Sequence, residues 1–281
     1  MGSPGARSLV GVGWENAAAM DLGLTDRACI VTGGSRGIGR TVARQLTAEG
    51  ARVLLVGRGE EALRATVAEL GSDARWLACD VTAADAGDRA VAACRQHFGG
   101  VDVLVNNASR SVARRLEELR DEDWQADWEI NVMGPMRLMR AAIPEMVKSG
   151  WGRVVNVSST SGKRPGQRNV AYSVAKAAEL SLSKAYADAY AQHGVLVNAV
   201  TPGPVASELW LEPGGLADQT AQVQGTTREQ VLHSTAAALP IRRLGGPEEI
   251  AAVIVFLCSQ QAANVSGAAW SVDGGANPVI I

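Results

Sequence analysis

Near-continuous apolar runs alternate along the chain with segments of helical periodicity, and this alternation limits the possible folds more than any other feature. Runs of this kind are typical of strands that are buried on both faces, and the segments between them are long enough to be crossover helices. Strands are predicted at 28–32, 52–56, 75–79, 101–105, 153–157, 195–200 and 268–272, and helices at about 38–50, 60–70, 84–98, 123–148, 170–192 and 247–258. The sequence therefore predicts an α/β fold in which helices cover both faces of a parallel sheet.

No linker rich in Gly, Ser or Pro interrupts this alternation, so we expect a single domain over residues 21–281. A chain of this length with 47% apolar residues can bury a large core. Residues 1–20 lack the pattern and are predicted to be a mobile extension. Residues 204–240 are the least regular part of the domain.

The charge balance and the rare residue types exclude several functions. The formal net charge is −2, from 27 basic and 29 acidic residues, so bulk charge predicts no binding to nucleic acid or membrane. No apolar run is long enough to span a bilayer, and the N-terminus lacks the apolar region of a signal peptide. The four cysteines and three histidines have no metal-binding spacing, so we predict a cytoplasmic protein with reduced thiols and no metal.

The loop between the first predicted strand and the first predicted helix reads Thr-Gly-Gly-Ser-Arg-Gly-Ile-Gly over 32–39, and three of its four glycines have the spacing Gly-x-x-x-Gly-x-Gly. Glycines here allow a tight turn and let a pyrophosphate approach the backbone N–H groups at the start of the helix. A plain strand-to-helix turn is the alternative interpretation. Because such a turn does not need three glycines, the loop favours dinucleotide binding.

Two arginines indicate which dinucleotide is bound. NAD sites usually have an acidic residue about 20 residues beyond the glycine loop, where it binds the ribose 2′-hydroxyl. In this chain the second strand ends in Gly57-Arg58, and Arg36 lies in the glycine loop itself. Two guanidinium groups suit a 2′-phosphate, which makes NADP(H) the preferred cofactor and NAD(H) the alternative. Arginines that only face solvent would give the same pattern.

Tyr172 and Lys176 share one face of a predicted helix, and they form the only Tyr-x-x-x-Lys of the chain. Tyrosine is a poor acid or base at neutral pH, and a neighbouring ammonium group favours its phenolate form. Taken alone, such a pair could equally be a surface contact. Its interpretation depends on the motifs around it.

Those motifs occur together and in order. They are the glycine loop at 32–39, Asp80-Val81, Asn106-Asn-Ala108, Asn131, Ser159, Tyr172-Ser-Val-Ala-Lys176 and Pro202-Gly203. With this set the chain resembles the short-chain dehydrogenase/reductase family over about 24–275, and in particular its 3-oxoacyl-[acyl-carrier-protein] reductase branch. The resemblance implies a Rossmann-like, doubly wound sheet of about seven parallel strands. It also implies an NAD(P)-dependent oxidoreductase that acts on CH–OH and C=O groups.

The resemblance assigns roles to individual residues. Tyr172 would be the acid/base, Lys176 would favour its phenolate and hold the nicotinamide ribose, and Ser159 would bind the substrate carbonyl. Ser159 is preferred over Ser158 because Gly162 completes the family's Ser-x-x-Gly. Asn131 would position Lys176 through water. The cofactor-binding residues would be Gly33, Ser35, Arg36, Gly37, Ile38, Gly39, Arg58, Asp80, Val81, Asn106, Ala108, Tyr172, Lys176, Pro202, Gly203, Val205 and Ser207.

One position departs from the family pattern. The family's Asn-Asn-Ala-Gly ends here in Ser109, so a side chain replaces a glycine near the nicotinamide. This change could narrow the pocket, but it removes no catalytic group.

The substrate and the partners are predicted only in outline. Residues 204–240 correspond to the family's mobile lid, and their apolar side chains suit a partly hydrophobic ketone such as a 3-oxoacyl thioester, although they could also be loop packing. The family implies a homotetramer formed through the helices near 123–148 and 170–192. Arginines at 110, 114, 115 and 120 could steer an acidic acyl carrier protein, or they could be a solvated mixed-charge surface. The alternatives are an NAD-dependent alcohol or sugar dehydrogenase and a non-catalytic dinucleotide-binding regulator.

Overall fold

The structure is a computed structural model that describes residues 20–278. The predicted extension at 1–20 lies outside this range except for Met20. Seven short segments of the described chain pair in parallel as one sheet. These strands are β1 (Ala28–Thr32), β2 (Arg52–Gly57), β3 (Ala74–Ala78), β4 (Val103–Asn106), β5 (Gly152–Val157), β6 (Val195–Pro202) and β7 (Ala269–Val272). Their spatial order is β3-β2-β1-β4-β5-β6-β7, which confirms the predicted doubly wound fold.

Helices connect the strands and continue beyond β6. They are α1 (Gly37–Ala48), α2 (Glu60–Leu70), α3 (Ala86–Phe98), α4 (Asp121–Trp128), α5 (Gly134–Ser149), α6 (Thr160–Lys163), α7 (Val170–Tyr190), α8 (Glu208–Leu211), α9 (Leu216–Gln224), α10 (Arg228–Ala238) and α11 (Pro247–Cys258). Within residues 20–278, no helix has both the length and the apolar character needed to cross a bilayer.

The sheet separates two apolar cores, which explains why the strands are apolar on both faces. Leu46 of α1 and Ile254 of α11 pack on one face, while Met139 of α5 and Ala187 of α7 pack on the other. Burial of this apolar surface is the main favourable contribution to the fold. Because β1 lies between β2 and β4, the chain reverses its winding direction there, and a crevice opens at the carboxyl ends of these strands.

Two predicted segments differ from the structure. The helix expected at 123–148 is divided by a π-helical turn, Glu129–Met133, between α4 and α5. Such turns are rare and are found frequently at functional sites. The segment 204–240, which we expected to be irregular, contains α8, α9 and α10. These helices were missed because they carry few periodic apolar residues; Val231 is the only buried residue of α10.

Candidate active site

A cavity of about 500 Å³ lies at the carboxyl ends of the central strands. It extends from the glycine loop to the segment that holds Tyr172. Of the predicted site residues, its walls contain Gly33, Ser35, Arg36, Gly37, Ile38, Arg58, Asp80, Val81, Ala108, Ser159, Tyr172, Pro202, Gly203, Val205 and Ser207. Four predicted residues lie outside these walls, namely Gly39, Asn106, Asn131 and Lys176.

The glycine loop is held in place by the residue that follows Asn106. Asn107 Nδ2 donates to the carbonyl of Thr32 at 2.9 Å and to that of Gly33 at 3.3 Å. A Cβ atom on Gly39 would lie 2.3 Å from the Gly33 oxygen and 2.4 Å from Asn107 Nδ2. Gly39 is therefore required for the packing of the loop, and the structure places it behind the cavity wall. Gly33 and Gly37 have φ of +64° and +53°, which glycine adopts without strain.

Arg58, Asp80 and Val81 line one end of the cavity, beyond the carboxyl ends of β2 and β3. The Asp80 carboxylate accepts hydrogen bonds from Thr82 N at 2.9 Å and Thr82 Oγ1 at 2.8 Å. The bond from Thr82 N is the largest influence that lowers the pKa of Asp80. Among residues 20–278, no carboxylate forms an ion pair with Arg58 within 4.0 Å, although its charge also lowers the pKa of Asp80. Its guanidinium donors are therefore available to a ligand in the cavity.

Ser159 lies at the N-cap of the short helix α6, where its Oγ accepts from Ser161 N at 3.1 Å. The position of α6 depends on Gly162. A Cβ atom there would lie 2.8 Å from the backbone oxygen of Lys176. The glycine therefore lets α6 approach α7 closely, so that Ser159 and Tyr172 line the same cavity.

Lys176 lies behind the cavity wall, although we predicted it as a cofactor-binding residue. Its Nζ donates to the Val157 carbonyl at 2.8 Å and to Glu179 Oε2 at 2.9 Å. The side chains of Lys176 and Glu179 are each 1% exposed. Nζ lies 5.8 Å from the centroid of the Tyr172 ring. An ammonium group has three donors, so one remains for Tyr172 or a ribose. Burial is the largest influence on the pKa of Glu179 and raises it, while Lys176 opposes the rise.

Asn131 lies in the π-helical turn and is fully buried. Its Nδ2 donates to the backbone oxygen of Asp127 at 3.0 Å, and its Oδ1 accepts from Ser109 Oγ at 2.6 Å. The serine that replaces the family's glycine thus binds the side chain of Asn131. Burial raises the pKa of Asp127 to about 6, and the Arg110 guanidinium, with Nε 3.3 Å from Oδ1, opposes the rise.

Asn106 was predicted as a cofactor-binding residue, but its side chain does not line the cavity. This side chain is 2% exposed, and its Nδ2 donates to Asn156 Oδ1 at 2.8 Å. Asn156 in turn donates to Ser183 Oγ at 2.8 Å. Successive residues of a strand point to opposite sides, so Asn106 points into the core and Asn107 towards the cavity.

Glu208 of α8 and Glu212, the residue that follows this helix, contact α1 and the glycine loop through ion pairs. Arg36 Nη1 lies 3.2 Å from Glu212 Oε2, and Arg40 Nη2 lies 3.4 Å from Glu208 Oε1. The Arg36–Glu212 pair is largely exposed, with 59% and 52% of the two side chains accessible. The segment 204–240 therefore contacts the same arginine that was predicted to bind a 2′-phosphate.

Comparisons with known proteins identify the family of this chain. The sequence model of the short chain dehydrogenase family matches residues 27–213. This chain belongs to that family. It is 38% identical over 250 residues to the short-chain reductase protein NovJ of Streptomyces niveus, covering 88% of this chain and 92% of the relative. It is 33% identical to the 3-oxoacyl-[acyl-carrier-protein] reductase FabG of Vibrio cholerae, covering 90% and 98%.

Solved structures extend the comparison. L-Sorbose reductase from Gluconobacter frateurii, complexed with NADPH and L-sorbose, is similar with a TM-score of 0.86 and 33% identity, covering 93% of this chain and all of that one. A variant of the actinorhodin polyketide ketoreductase with NADPH gives a TM-score of 0.84 and 34% identity, with the same coverage. This short-chain dehydrogenase is thus an NAD(P)-dependent oxidoreductase of CH–OH and C=O groups, as the sequence predicted.

Sequence reasoning missed two residues of this site. Asn107 was quoted only as part of a motif, and the strand alternation that points it towards the loop was not applied. Glu179 follows Lys176 by three residues on the same face of α7, and i,i+3 spacing of opposite charges is a signal that could have found it. The predicted hydrophobic periodicity gives no reason for a carboxylate at that buried position.

Proposed function

We propose that this short-chain dehydrogenase reduces a ketone with NADPH, and that Tyr172 gives the proton to the carbonyl oxygen. The substrate would be a 3-oxoacyl thioester or a similar partly hydrophobic ketone. The observation that carries the proposal is that Ser159 and Tyr172 line one cavity with the glycine loop, while Lys176 Nζ lies 5.8 Å from the Tyr172 ring centroid. A carbonyl reductase needs a proton donor, a group that binds the carbonyl and a cofactor site, all close enough to act on the same substrate.

The shape of the loop fits a dinucleotide. The residues at 33, 37 and 39 have no side chain to fill the space beside the N-terminus of α1, where backbone N–H groups can bind a pyrophosphate. Asp80 and Val81 would contact the adenine, and Arg36 and Arg58 the 2′-phosphate. Ala108, Pro202, Gly203, Val205 and Ser207 would surround the nicotinamide.

Reduced nicotinamide, when bound, supplies the hydride for this reaction. The hydroxyl of Ser159 donates a hydrogen bond to the substrate carbonyl and orients it. The hydroxyl of Tyr172 donates its proton to the carbonyl oxygen as negative charge develops there. The ammonium of Lys176 favours the resulting phenolate, and Asn131 stabilises the turn that packs against α7.

The lid, the subunit assembly and the location stay predictions that accompany this proposal. Leu209, Trp210 and Leu216 line the cavity, which supports a partly hydrophobic substrate. A mobile lid at about 204–240, a homotetramer and a cytoplasmic location rest on the family resemblance. An acyl carrier protein as partner has less support from charge, because Arg110, Arg114 and Arg120 form ion pairs with acidic neighbours.

A polyol or sugar dehydrogenase is the second candidate. A sorbitol dehydrogenase of Cereibacter sphaeroides is 34% identical over 253 residues. The cavity also contains polar groups near Ser159, including Ser158, Ser161 and Asn169. Turnover of 3-oxoacyl thioesters, simple ketones and ketoses with NADPH and with NADH would distinguish the two candidates. A non-catalytic binder would bind the dinucleotide and turn over none of them.

The replacement Tyr172→Phe tests the proposal, because it keeps the ring and removes the proton. We expect turnover to fall by roughly 10²–10⁴-fold, the usual contribution of an acid–base group. Cofactor binding, followed by NADPH fluorescence, should persist. Tyr190→Phe is the matched control, since Tyr190 lies on the same helix and stacks on Tyr186. Near-normal turnover of Tyr172→Phe would refute the assignment.

A further inference from the structure

A second cavity of about 400 Å³ adjoins the first, and we call it the annex. It lies between the segment that joins Ser159 to Tyr172 and the lid helices α9 and α10. Hydroxyl and amide groups of Thr220, Gln224, Ser234 and Thr235 line it, together with the side chains of Arg164 and Arg168. Its lining contains no acidic residue. Pro204, Val231, Ala238, Leu239 and Ala276 form the apolar part of its lining. The annex is therefore a cavity of mixed polarity with two positive charges.

The charges of these two arginines are not neutralised within the described chain. Neither forms an ion pair within 4.0 Å among residues 20–278, whereas Arg114 lies 2.9 Å from the Asp123 carboxylate. When the Gln224 amide is oriented to suit its neighbours, its oxygen accepts from Arg168 Nη1 at 2.6 Å and Nη2 at 3.1 Å. This contact orients Arg168 and leaves its charge uncompensated. Two such guanidinium groups suit the oxygens of a carboxylate or a phosphate.

The annex is within reach of a substrate at the catalytic residues. Pro204 lines both cavities, so they meet there. Arg164 follows Ser159 by five residues, and its N donates to the Thr160 carbonyl at 2.9 Å as α6 ends. At a helical rise of 1.5 Å per residue, the backbones of Ser159 and Arg164 are roughly 8 Å apart along the helix axis. A short chain of carbon atoms spans that distance.

We propose that the annex binds an anionic group, a carboxylate or a phosphate, at the end of the substrate remote from the reacting ketone. Arg164 and Arg168 bind its oxygens, and the hydroxyl groups of Ser234 and Thr235 complete the site. This inference deepens the proposed function and rests on it. It makes the substrate class a ketone that carries a negative charge several bonds from the carbonyl.

The test compares matched substrates. Methyl ketones of graded chain length are prepared with a terminal carboxylate, a terminal phosphate or an uncharged primary amide, and kcat/KM is measured with NADPH. We expect at least one anionic series to exceed the amide by 10-fold or more, with the phosphate and carboxylate arms showing which anion fits. Arg164→Ala and Arg168→Ala should each lower the anionic value by roughly 10–100-fold, as expected for a charged hydrogen bond. The kcat/KM for the uncharged amide substrates should change by less than about 2-fold in either variant.

Arg115→Ala is the matched control, an arginine outside the annex that forms no ion pair within the described residues. Arg168→Gln keeps a donor for Gln224 without the charge, so a loss there is not caused by a disturbed lid. Equal kcat/KM for anion and amide in the unmodified enzyme, or an equal loss for both in the variants, would overturn the proposal.

The annex can also be tested if the proposed ketone reduction is wrong, because binding can be measured without turnover. If none of the ketones is reduced, the keto acids and keto phosphates are titrated calorimetrically into the protein with NADP⁺. Binding that weakens about 10-fold or more in the arginine variants, and not in Arg115→Ala, supports the annex without any turnover. The absence of such a difference would overturn it.

Discussion

Two regions of the active site are held by opposite kinds of contact. They are its floor, which comprises Lys176, Glu179 and the turn from Asp127 to Asn131, and the segment 204–240, which we propose as its lid. In the floor, Lys176 and Glu179 form an ion pair in which both side chains are 1% exposed. In the lid, the Arg36–Glu212 pair leaves more than half of each side chain exposed. A buried charge that loses its partner is costly, whereas an exposed pair contributes about 0–1 kcal/mol. The difference indicates a floor that holds Lys176 in a fixed position, and it supports our proposal that the lid opens at little cost.

The largest expected effect comes from breaking the floor. Glu179→Leu would leave the ammonium of Lys176 buried and uncompensated, so we expect the free energy of unfolding to fall by about 3–5 kcal/mol. Urea unfolding measures the loss. Asp188→Leu is the control, because Asp188 pairs with Lys184 on the same helix at the surface. A loss below about 1 kcal/mol for Glu179→Leu would show that the pair is not held as the structure shows.

A second test of the floor uses pH. The pKa of Asp127 is raised to about 6, so the folded protein binds this proton more tightly than the unfolded chain does. The contribution of Asp127 to the free energy of unfolding is therefore present at low pH and is lost as the pH rises from about 4 to about 6. The full effect is about 3 kcal/mol, at 1.36 kcal/mol for each tenfold change in proton affinity.

Asp127→Asn removes this titration and keeps the backbone oxygen that binds Asn131. The variant should match the parent below about pH 4 and become more stable than the parent above about pH 6. Urea unfolding across this range measures the difference. A difference in the free energy of unfolding that is the same at all pH values would contradict the prediction, because it would mean that the Asp127 carboxyl group does not titrate between about pH 4 and pH 6.

The floor and the lid also differed in how well the sequence predicted them. The strands, the glycine loop and Ser159 with Tyr172 were predictable, because apolar runs and motif order determine them. The direction of a side chain at a strand end was harder to predict: the side chain of Asn106, a residue predicted to contact the cofactor, binds Asn156 in the core. The lid helices were not predicted, since they pack few apolar residues and hydrophobic periodicity is the signal that reveals helices.

The third prediction concerns the far end of the cavity. Replacing Arg58 with Asp removes one proposed partner of the 2′-phosphate and adds a repulsive charge. A hydrogen bond to a charged group contributes roughly 1.5–3 kcal/mol, so the ratio of kcat/KM for NADPH over NADH should fall by about 10–100-fold. Arg64→Ala is the control, an arginine of α2 that is paired with Glu60. Equal kcat/KM for both cofactors in the unmodified enzyme would show that Arg58 does not select the cofactor.

The smallest expected effect joins the two regions. Glu212 of the lid and a 2′-phosphate would compete for Arg36. The guanidinium of Arg36 lies 3.2 Å from the Glu212 carboxylate, and the same residue lines the cavity that we propose for the cofactor. Glu212→Gln removes the competing charge, so NADPH should bind more tightly by about 0.2–1 kcal/mol, the range for exposed pairs. NADH lacks the phosphate, and its affinity should not change.

Fluorescence titration at low and high salt measures this difference. The gain should shrink as salt rises, since exposed charges are screened. Glu248→Gln, which breaks the exposed pair with Arg44 on the same helix as Arg40, is the control and should change neither affinity. If Glu212→Gln tightens NADH and NADPH equally, the lid acts on the cavity without competing for Arg36. The 2′-phosphate of NADPH would then have no part in releasing the lid. The proposed low cost of opening the lid would come only from the exposure of the lid's ion pairs.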